Sequence, residues 1–387
     1  MITHGATSAT RLRRREEALR DLERLRELDL TARPDEHGLH RAARVEDAVK
    51  GVLGAGLRRR GYHARAVAFP CYGGPGWVRV LGRVLLGRTG EVRDEPERSV
   101  RGWRNFMSVP VADVEVTAHL DGRRVRLRTD RGGYVDEVVE ADLPPGEHSV
   151  TLTVDPDGEG PREEPGAPDG TGTGTARLVV VGPQPQLGLL SDIDDTVVVT
   201  RLPRPLLAAW NSFVLTEKAR VPVNGMAEMY QQFVAENPGS PVLYLSTGAW
   251  NVAPTMTRFL RRSGYPEGPL LLTDWGPTNT GWFRDGSAHK RGTLARLARE
   301  LPQVTWLLVG DDGQHDPQLY AEFVAAAPER VAGVAIRRLT PAEQLLAGGH
   351  PLTSSAAPRE SAVPWVSGDN GFELMHRWHR AGLLHDA

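Results

Sequence analysis

Two acidic clusters carry most of the chemistry available to this sequence. The first ends an apolar run, as Leu189-Leu190-Ser191-Asp192-Ile193-Asp194-Asp195-Thr196. Three carboxylates packed this closely repel one another unless a cation sits among them, so a hard divalent metal is their natural partner. The second ends another apolar run, as Gly310-Asp311-Asp312-Gly313-Gln314-His315-Asp316. Either cluster alone also suits an acidic turn or a set of helix caps. Two of them on one edge of a sheet make a shared magnesium site the economical explanation. Magnesium takes a few carboxylates and keeps positions for water and phosphate oxygens. Ser246-Thr247-Gly248 follows a third apolar run. A small hydroxyl beside a glycine can donate to a phosphate oxygen and lets the backbone approach, though the same residues suit an ordinary helix cap. Lys290 is one of three lysines, with Lys50 and Lys218, among 47 basic residues. It follows His289 at the predicted start of a helix, where the macrodipole opposes a cation. A compact ammonium there suggests a task such as holding a phosphoryl group; an exposed lysine at a helix start is the plainer alternative.

These residues need elements to hold them. From residue 187 apolar strands alternate with amphipathic helices: strands at 187–191, 241–245, 269–273, 305–309 and 331–336, helices at 224–236, 253–263, 290–300 and 316–327. That alternation predicts a doubly wound, mostly parallel sheet with helices on both faces. Ligands then bind beyond the carboxyl ends of the strands, where the clusters lie. Ahead of it, segments at 78–86, 112–118, 149–154 and 176–181 read as short strands. Asp121-Gly122, Gly132-Gly133 and Pro144-Pro145-Gly146 are turns between them, so a small antiparallel β-sandwich is expected. Residues 155–175, rich in Gly, Pro, Asp, Glu and Thr, read as a mobile loop. Leu12, Leu19, Leu22, Leu25 and Leu28 mark a helix at 11–30, and a second helix is expected at 39–60. The Pro/Ser/Ala-rich stretch 348–367 reads as loose, and 370–384 as a last short helix.

Taken in order, Asp192-Ile193-Asp194-Asp195-Thr196, Ser246, Lys290 and Gly310-Asp311-Asp312 with Asp316 resemble the four motifs of the haloacid dehalogenase-like (HAD) superfamily. More narrowly, Tyr244-Leu245-Ser246-Thr247-Gly248-Ala249-Trp250-Asn251, His289-Lys290 and Gly310 through Pro317 resemble the actin-patch-protein type of phosphatidate phosphatase catalytic domain, over about 187–338. The strand Gly82-Arg83-Val84-Leu85 is similar to the region that precedes this domain in bacterial relatives. The resemblance implies that Asp192 is the nucleophile, forming an aspartyl-phosphate. Asp194 is the general acid and then base. Thr196, Ser246, Thr247, Gly248 and Lys290 contact the phosphoryl group. Magnesium is held by Asp192, the Asp194 carbonyl and Asp311, with Asp312 and Asp316 around them and Asp316 orienting Lys290. Relatives of this type often show Asn-Ser-Pro-Trp after the motif-two serine, where this chain has Thr247-Gly248-Ala249-Trp250, so substrate contacts are expected to differ.

The expected organisation is therefore an N-terminal helical segment at 1–60, a β-sandwich-like domain at 61–182, a HAD-like catalytic domain at 187–345, and a tail with a short helix at 346–387. The intervals 197–245 and 247–289 are too short for a large cap. The site should be open to a bulky substrate, with an apolar flap at 202–213 and Trp250, Trp275 and Trp282 as candidates for its mouth. The expected reaction is magnesium-dependent hydrolysis of phosphatidate or a related bulky phosphomonoester, with peripheral membrane association. A phosphoprotein or soluble phosphometabolite substrate, and a non-catalytic membrane-associated scaffold, are the alternatives. Composition sets the outer bounds: 387 residues, 40% hydrophobic and 25% charged, fit two or three globular domains. A net charge of -2 gives no sign of a nucleic-acid binder. Cys71 is alone, which excludes an internal disulfide framework and a cysteine-based zinc site. The first residues lack the apolar core of a signal peptide, and a cytoplasmic protein is expected.

Overall fold

The computed structural model describes residues 54, 56–88, 109–154, 172–199, 221–273, 286–313, 315–346 and 361–384. The helix expected at 11–30, most of the one at 39–60, the flap at 202–213, and Trp275 and Trp282 lie outside them.

Eight strands build the first sheet: β1 (Tyr62–Ala68), β2 (Cys71–Gly74), β3 (Trp77–Arg88), β4 (Glu115–Leu120), β5 (Arg123–Arg128), β6 (Tyr134–Glu140), β7 (Gly146–Val154) and β8 (Thr173–Val180). Their order is β1-β3-β2-β8-β7-β4-β5, with β6 on the free side of β3. The β4–β5 hairpin shows how sequence sets this geometry. Leu120 pairs with Arg123 across Asp121-Gly122, whose φ values of 43° and 82° are those of a two-residue turn matched to strand twist. β1 contacts β7 and β8 although it pairs with neither, so the sheet folds back on itself. Two expectations are corrected. The sheet is not wholly antiparallel, because β2 runs parallel to β8. β8 also begins inside the stretch expected to be loop: Thr173 pairs with Thr153 and Thr175 with Thr151. β-branched threonines suit a strand, and the interleaved glycines hid it.

The second sheet comprises β9 (Gln186–Asp192), β12 (Val242–Ala249), β13 (Leu270–Thr273), β14 (Val304–Asp311), β15 (Val331–Arg337) and β16 (Trp365–Gly368). A small antiparallel ribbon of β10 (Val198–Val199) and β11 (Val221–Pro222) follows β9. The six strands are all parallel, in the order β13-β12-β9-β14-β15-β16. The chain steps outward from β9 through β12 to β13, then returns to the other side of β9 for β14. Residues 188 to 192 of β9 are all buried, whichever face they point to, so both faces of the sheet are covered. Leu189 and Leu190 are fully buried, and each contributes about 1.5–3 kcal/mol.

Among the described residues six α-helices accompany this sheet: α1 (Met226–Glu236), α2 (Ala253–Arg262), α3 (Gly286–Glu300), α4 (Asp316–Ala326), α5 (Pro341–Leu346) and α6 (Gly371–Arg380). α1 buries Met226, Met229, Tyr230 and Phe233, an i, i+3, i+4, i+7 stripe. The stretch expected to be loose supplies β16, whose Trp365 to Gly368 pair with Val334 to Arg337. Four residues of Trp-Val-Ser-Gly carry no apolar run, so only pairing with β15 reveals the strand. After it, Asn370 caps α6 by accepting from the Glu373 amide, and buried Leu374 and Trp378 seat the helix against β16 and α1.

Candidate active site

The parallel sheet brings the acidic clusters to one edge. Asp192 ends β9, beside Leu245 of β12; Ser191 pairs with Val309 of β14, so Ser246 and Asp311 stand at neighbouring strand ends. The main chain at Asp192 is braced from behind: the Tyr230 hydroxyl donates to Ser191 Oγ (2.6 Å), which donates to the Asp192 carbonyl (2.6 Å). One carboxylate oxygen from each of Asp192, Asp311 and Asp316 lies within 4.8 Å of the others, and all three residues are buried. Lys290 Nζ donates to Asp192 Oδ1 at 2.6 Å and to Asp316 Oδ1 at 2.5 Å. The Gly313 amide donates to Asp311 Oδ1 (2.7 Å).

The helix boundaries explain Lys290. α3 begins at Gly286, so Lys290 lies a full turn inside it rather than at its start. Placed there, Lys290 is only 9% exposed and its ammonium reaches inward between two carboxylates. Burial alone would push it down, yet Asp192 and Asp316 outweigh that and hold it above its usual value. Asp316 opens α4, where the positive end of the helix favours an acid. Its Oδ2 is buried and has no hydrogen-bond partner. A Cβ on Gly310 would stand 2.6 Å from that atom, so the glycine makes the room that Asp316 occupies.

The remaining candidates are dispersed around this centre. Ser246 Oγ donates to Asp194 Oδ2 (2.9 Å) and accepts from the Gly248 amide (2.9 Å), so Asp194 is tied to the end of β12. Thr196, expected to touch substrate, is fully buried, and its hydroxyl faces Asp192 Oδ2 (3.3 Å) and Asp311 Oδ2 (3.4 Å). Asp312 points elsewhere, accepting from the Leu339 amide (2.8 Å). Thr247 is exposed, and its carbonyl accepts from Thr273 Oγ1 (2.9 Å). His315 is exposed at the start of α4. Trp250 does not line an open mouth: it is buried, with Phe69 of the first sheet's β1–β2 bend stacked on it at 5.1 Å.

Sequence reasoning missed Arg337. It ends β15, is 5% exposed, and donates to the Asp195 carbonyl (2.6 Å) and to Glu343 Oε1 (2.7 Å). Asp195 has φ 58°, a left-handed conformation unusual for a non-glycine residue. Arg337 and the Asp195 amide, which donates to the Val198 carbonyl (2.9 Å), hold that turn. The signal was available, since Arg337 occupies a strand's carboxyl end like the other site residues.

The donor set fits a hard divalent cation. Three buried carboxylates beside one ammonium leave two negative charges uncompensated, and Asp316 Oδ2 is an unused acceptor among them. Burial, partly opposed by Lys290, together with repulsion from Asp316, Asp311 and Asp194 pushes the Asp192 carboxyl well above the usual carboxylate range. Burial and repulsion from Asp316 do the same to Asp311.

Comparison with known proteins places this arrangement. Residues 187–338 match the family described as phosphatidate phosphatase APP1, catalytic domain. An uncharacterized protein of Schizosaccharomyces pombe is 28% identical over 152 residues, covering 39% of this chain and 25% of its own length. Phosphatidate phosphatase APP1 of Saccharomyces cerevisiae is 21% identical over 152 residues, covering 39% of this chain and 26% of its own. The match thus spans about a quarter of the length of these curated relatives. A carbohydrate acetylesterase from Xanthomonas citri overlaps 80% of this chain and 73% of its own at 13% identity, with a TM-score of 0.26, too low to bear on fold or function. The acidic trio, the paired lysine and the serine all lie within residues 187–338, the part of the chain that is similar to the APP1-type phosphatidate phosphatase catalytic domains.

Proposed function

We propose that the protein is a magnesium-dependent phosphomonoesterase of the HAD-like type, acting through an aspartyl-phosphate on phosphatidate or a related bulky phosphomonoester. The observation that carries this reading is Asp192 at the end of β9, buried against Lys290 and within reach of Asp311 and Asp316, with Asp194 and Ser246 paired beside it. Asp192 and Asp311, with the Asp194 carbonyl, would hold the metal, and Asp316 shares its carboxylate between Lys290 and this cluster. When bound, magnesium would neutralise charge on the carboxylates and on the phosphoryl oxygens.

The residues then divide the work. An Asp192 carboxylate oxygen attacks phosphorus, and the bond from phosphorus to the substrate's bridging oxygen breaks. Asp194, protonated for this step, gives its proton to the departing alkoxide. It then takes a proton from water, whose oxygen attacks phosphorus while the bond to Asp192 breaks, releasing inorganic phosphate. Ser246 donates to a phosphoryl oxygen once it leaves Asp194. Lys290 offsets the charge on Asp192 and on the phosphoryl group, and Asp316 keeps its ammonium aimed there. The yeast relative's name supplies phosphatidate as the substrate to test first. No helix among the described residues is long and apolar enough to cross a membrane, so a lipid substrate would be met at a surface.

The test is phosphate release from dispersed phosphatidate and from a soluble aryl phosphate, with magnesium or EDTA, beside Asp192→Asn. Magnesium-dependent release from both, lost in the variant, is expected. Release from the aryl phosphate alone removes the lipid assignment, and release by Asp192→Asn removes the nucleophile.

A further inference from the structure

Two segments that carry active-site residues run directly into the first sheet. α3 holds Lys290 near its amino end and Glu300 at its carboxyl end, roughly 15 Å further along one rigid helix. Glu300 Oε1 accepts from Arg79 Nη2 of β3 (2.7 Å), and Oε2 accepts from the Tyr72 hydroxyl of β2 (2.7 Å). Arg79 is itself buried and pairs with Asp136 of β6, which Arg296 of α3 approaches at 3.8 Å. This is a hydrogen-bonded charge network closed across the two sheets. Broken on one side, it would leave a buried charge unpaired.

The second segment is the end of β12. Trp250 lies four residues beyond Ser246 and is 6% exposed. Phe69 stacks on it with an interplanar angle of 20°, and Tyr134 approaches its ring at 6.0 Å. Arg83 in turn lies over the Tyr134 ring, 4.3 Å from its centroid. The buried apolar residues of the two sheets form one contiguous cluster. A surface domain joined by a loose linker would have neither the buried ion network nor a shared core.

We propose that the β-domain is a positioning element of the active site, with Glu300 and Trp250 as its two anchor residues. Glu300 fixes the axial placement of the helix that presents Lys290 to Asp192. Trp250 fixes the strand end that presents Ser246 to Asp194. Neither touches the reacting atoms. Each acts through the rigid segment it terminates, and a misplacement of about 1 Å at such a site costs on the order of 100-fold in rate. The proposal rests on the phosphatase reading for its kinetic readout, so its test carries a second readout that does not.

In the full chain, Glu300→Gln, Tyr72→Phe, Trp250→Ala and Trp250→Phe are compared for kcat and KM on an aryl phosphate with magnesium, and for amide hydrogen exchange. Measurements are made at a temperature where circular dichroism shows each variant folded. Glu300→Gln and Trp250→Ala should lower kcat about tenfold or more with KM changed by no more than about twofold. Trp250→Phe, which keeps an aromatic ring for Phe69, should recover most of the loss. Faster exchange should appear in the first turns of α3 for Glu300→Gln and at 246–250 for Trp250→Ala, while β4, β5 and β7 keep wild-type protection. Folded Glu300→Gln and Trp250→Ala with wild-type kcat would overturn the proposal, as would losses that only follow the unfolded fraction. If Trp250→Ala does not fold, Glu300→Gln decides for the α3 anchor, and Tyr72→Phe, which removes one of the two bonds to Glu300, should show a smaller loss in the same direction. If the wild-type chain hydrolyses no phosphomonoester, the phosphatase reading fails and exchange decides alone: local loosening supports the coupling, and unchanged protection of α3 and 246–250 refutes it.

Discussion

Gly310→Ala is a single-methyl test of the site's geometry. The added Cβ would meet Asp316 Oδ2 at 2.6 Å, Asp316 Cβ at 2.8 Å and Tyr320 Cε2 at 2.9 Å, where ordinary contact begins at 3.4 Å. None of these neighbours is the loose end of a flexible chain. Asp316 Cβ is fixed by the start of α4. Tyr320 is fully buried and tied by its hydroxyl to the Val309 carbonyl (2.9 Å). Gly310 lies outside the left-handed region, so the clash is not confounded by backbone strain. Overpacking of this kind costs about 1–3 kcal/mol of stability. The strain falls on Asp316, the partner that aims Lys290 at Asp192, so kcat should drop on the order of 100-fold with a smaller change in KM. Steady-state hydrolysis of an aryl phosphate and urea unfolding read the two effects. Gly56→Ala, where a Cβ meets nothing within 4 Å, is the control. Wild-type kcat and stability in Gly310→Ala would refute the claim that Asp316 and Lys290 are held to tight tolerance.

Arg337→Ala should destabilise the fold by roughly 3 kcal/mol in urea, because it removes the buried guanidinium's bonds to the Asp195 carbonyl and to Glu343 Oε1; Arg337→Lys should not restore it, since an ammonium cannot make both contacts in the guanidinium's fork geometry. Magnesium should raise the thermal midpoint in wild type, by the equivalent of about 2.7 kcal/mol when its free concentration is about 100 times its dissociation constant. EDTA should reverse the shift, and Asp311→Asn should abolish it. Burial pushes the Cys71 thiol up to about 12, so the thiolate is disfavoured at every pH below that value. The folded chain should resist iodoacetamide at mildly alkaline pH and react promptly in denaturant; rapid labelling of folded protein would show that the thiol is not buried.

What was legible in the sequence was local chemistry at strand ends. Asp192, Ser246, Lys290 and Asp311 each follow or face an apolar run, and the alternation of runs and amphipathic helices is enough to put them on one edge. The tertiary partners were not legible, because the residues that make them are far apart in the chain. Arg337 reaches Asp195 across 142 positions, and Arg79 reaches Glu300 across 221. Nothing in the spacing around Trp250 distinguishes a tryptophan at an open mouth from one stacked on Phe69 of another sheet. β16 was hidden for a related reason: a four-residue edge strand takes its definition from β15, not from its own composition. The resemblance placed Thr196 among the phosphoryl contacts, and its spacing gave no sign that the turn at Asp195 sets its hydroxyl against two carboxylates.

The role of Asp192 is tested most directly by trapping the covalent intermediate. Wild-type protein and Asp194→Asn, whose second step lacks its base, are mixed with aryl phosphate and magnesium and quenched in acid, and their peptides are weighed by mass spectrometry. A single phosphoryl group should appear on the peptide holding Asp192, at higher occupancy in Asp194→Asn and absent from Asp192→Asn. A phosphoryl group on any other residue, or steady turnover by Asp192→Asn, would contradict the assignment of Asp192 as nucleophile.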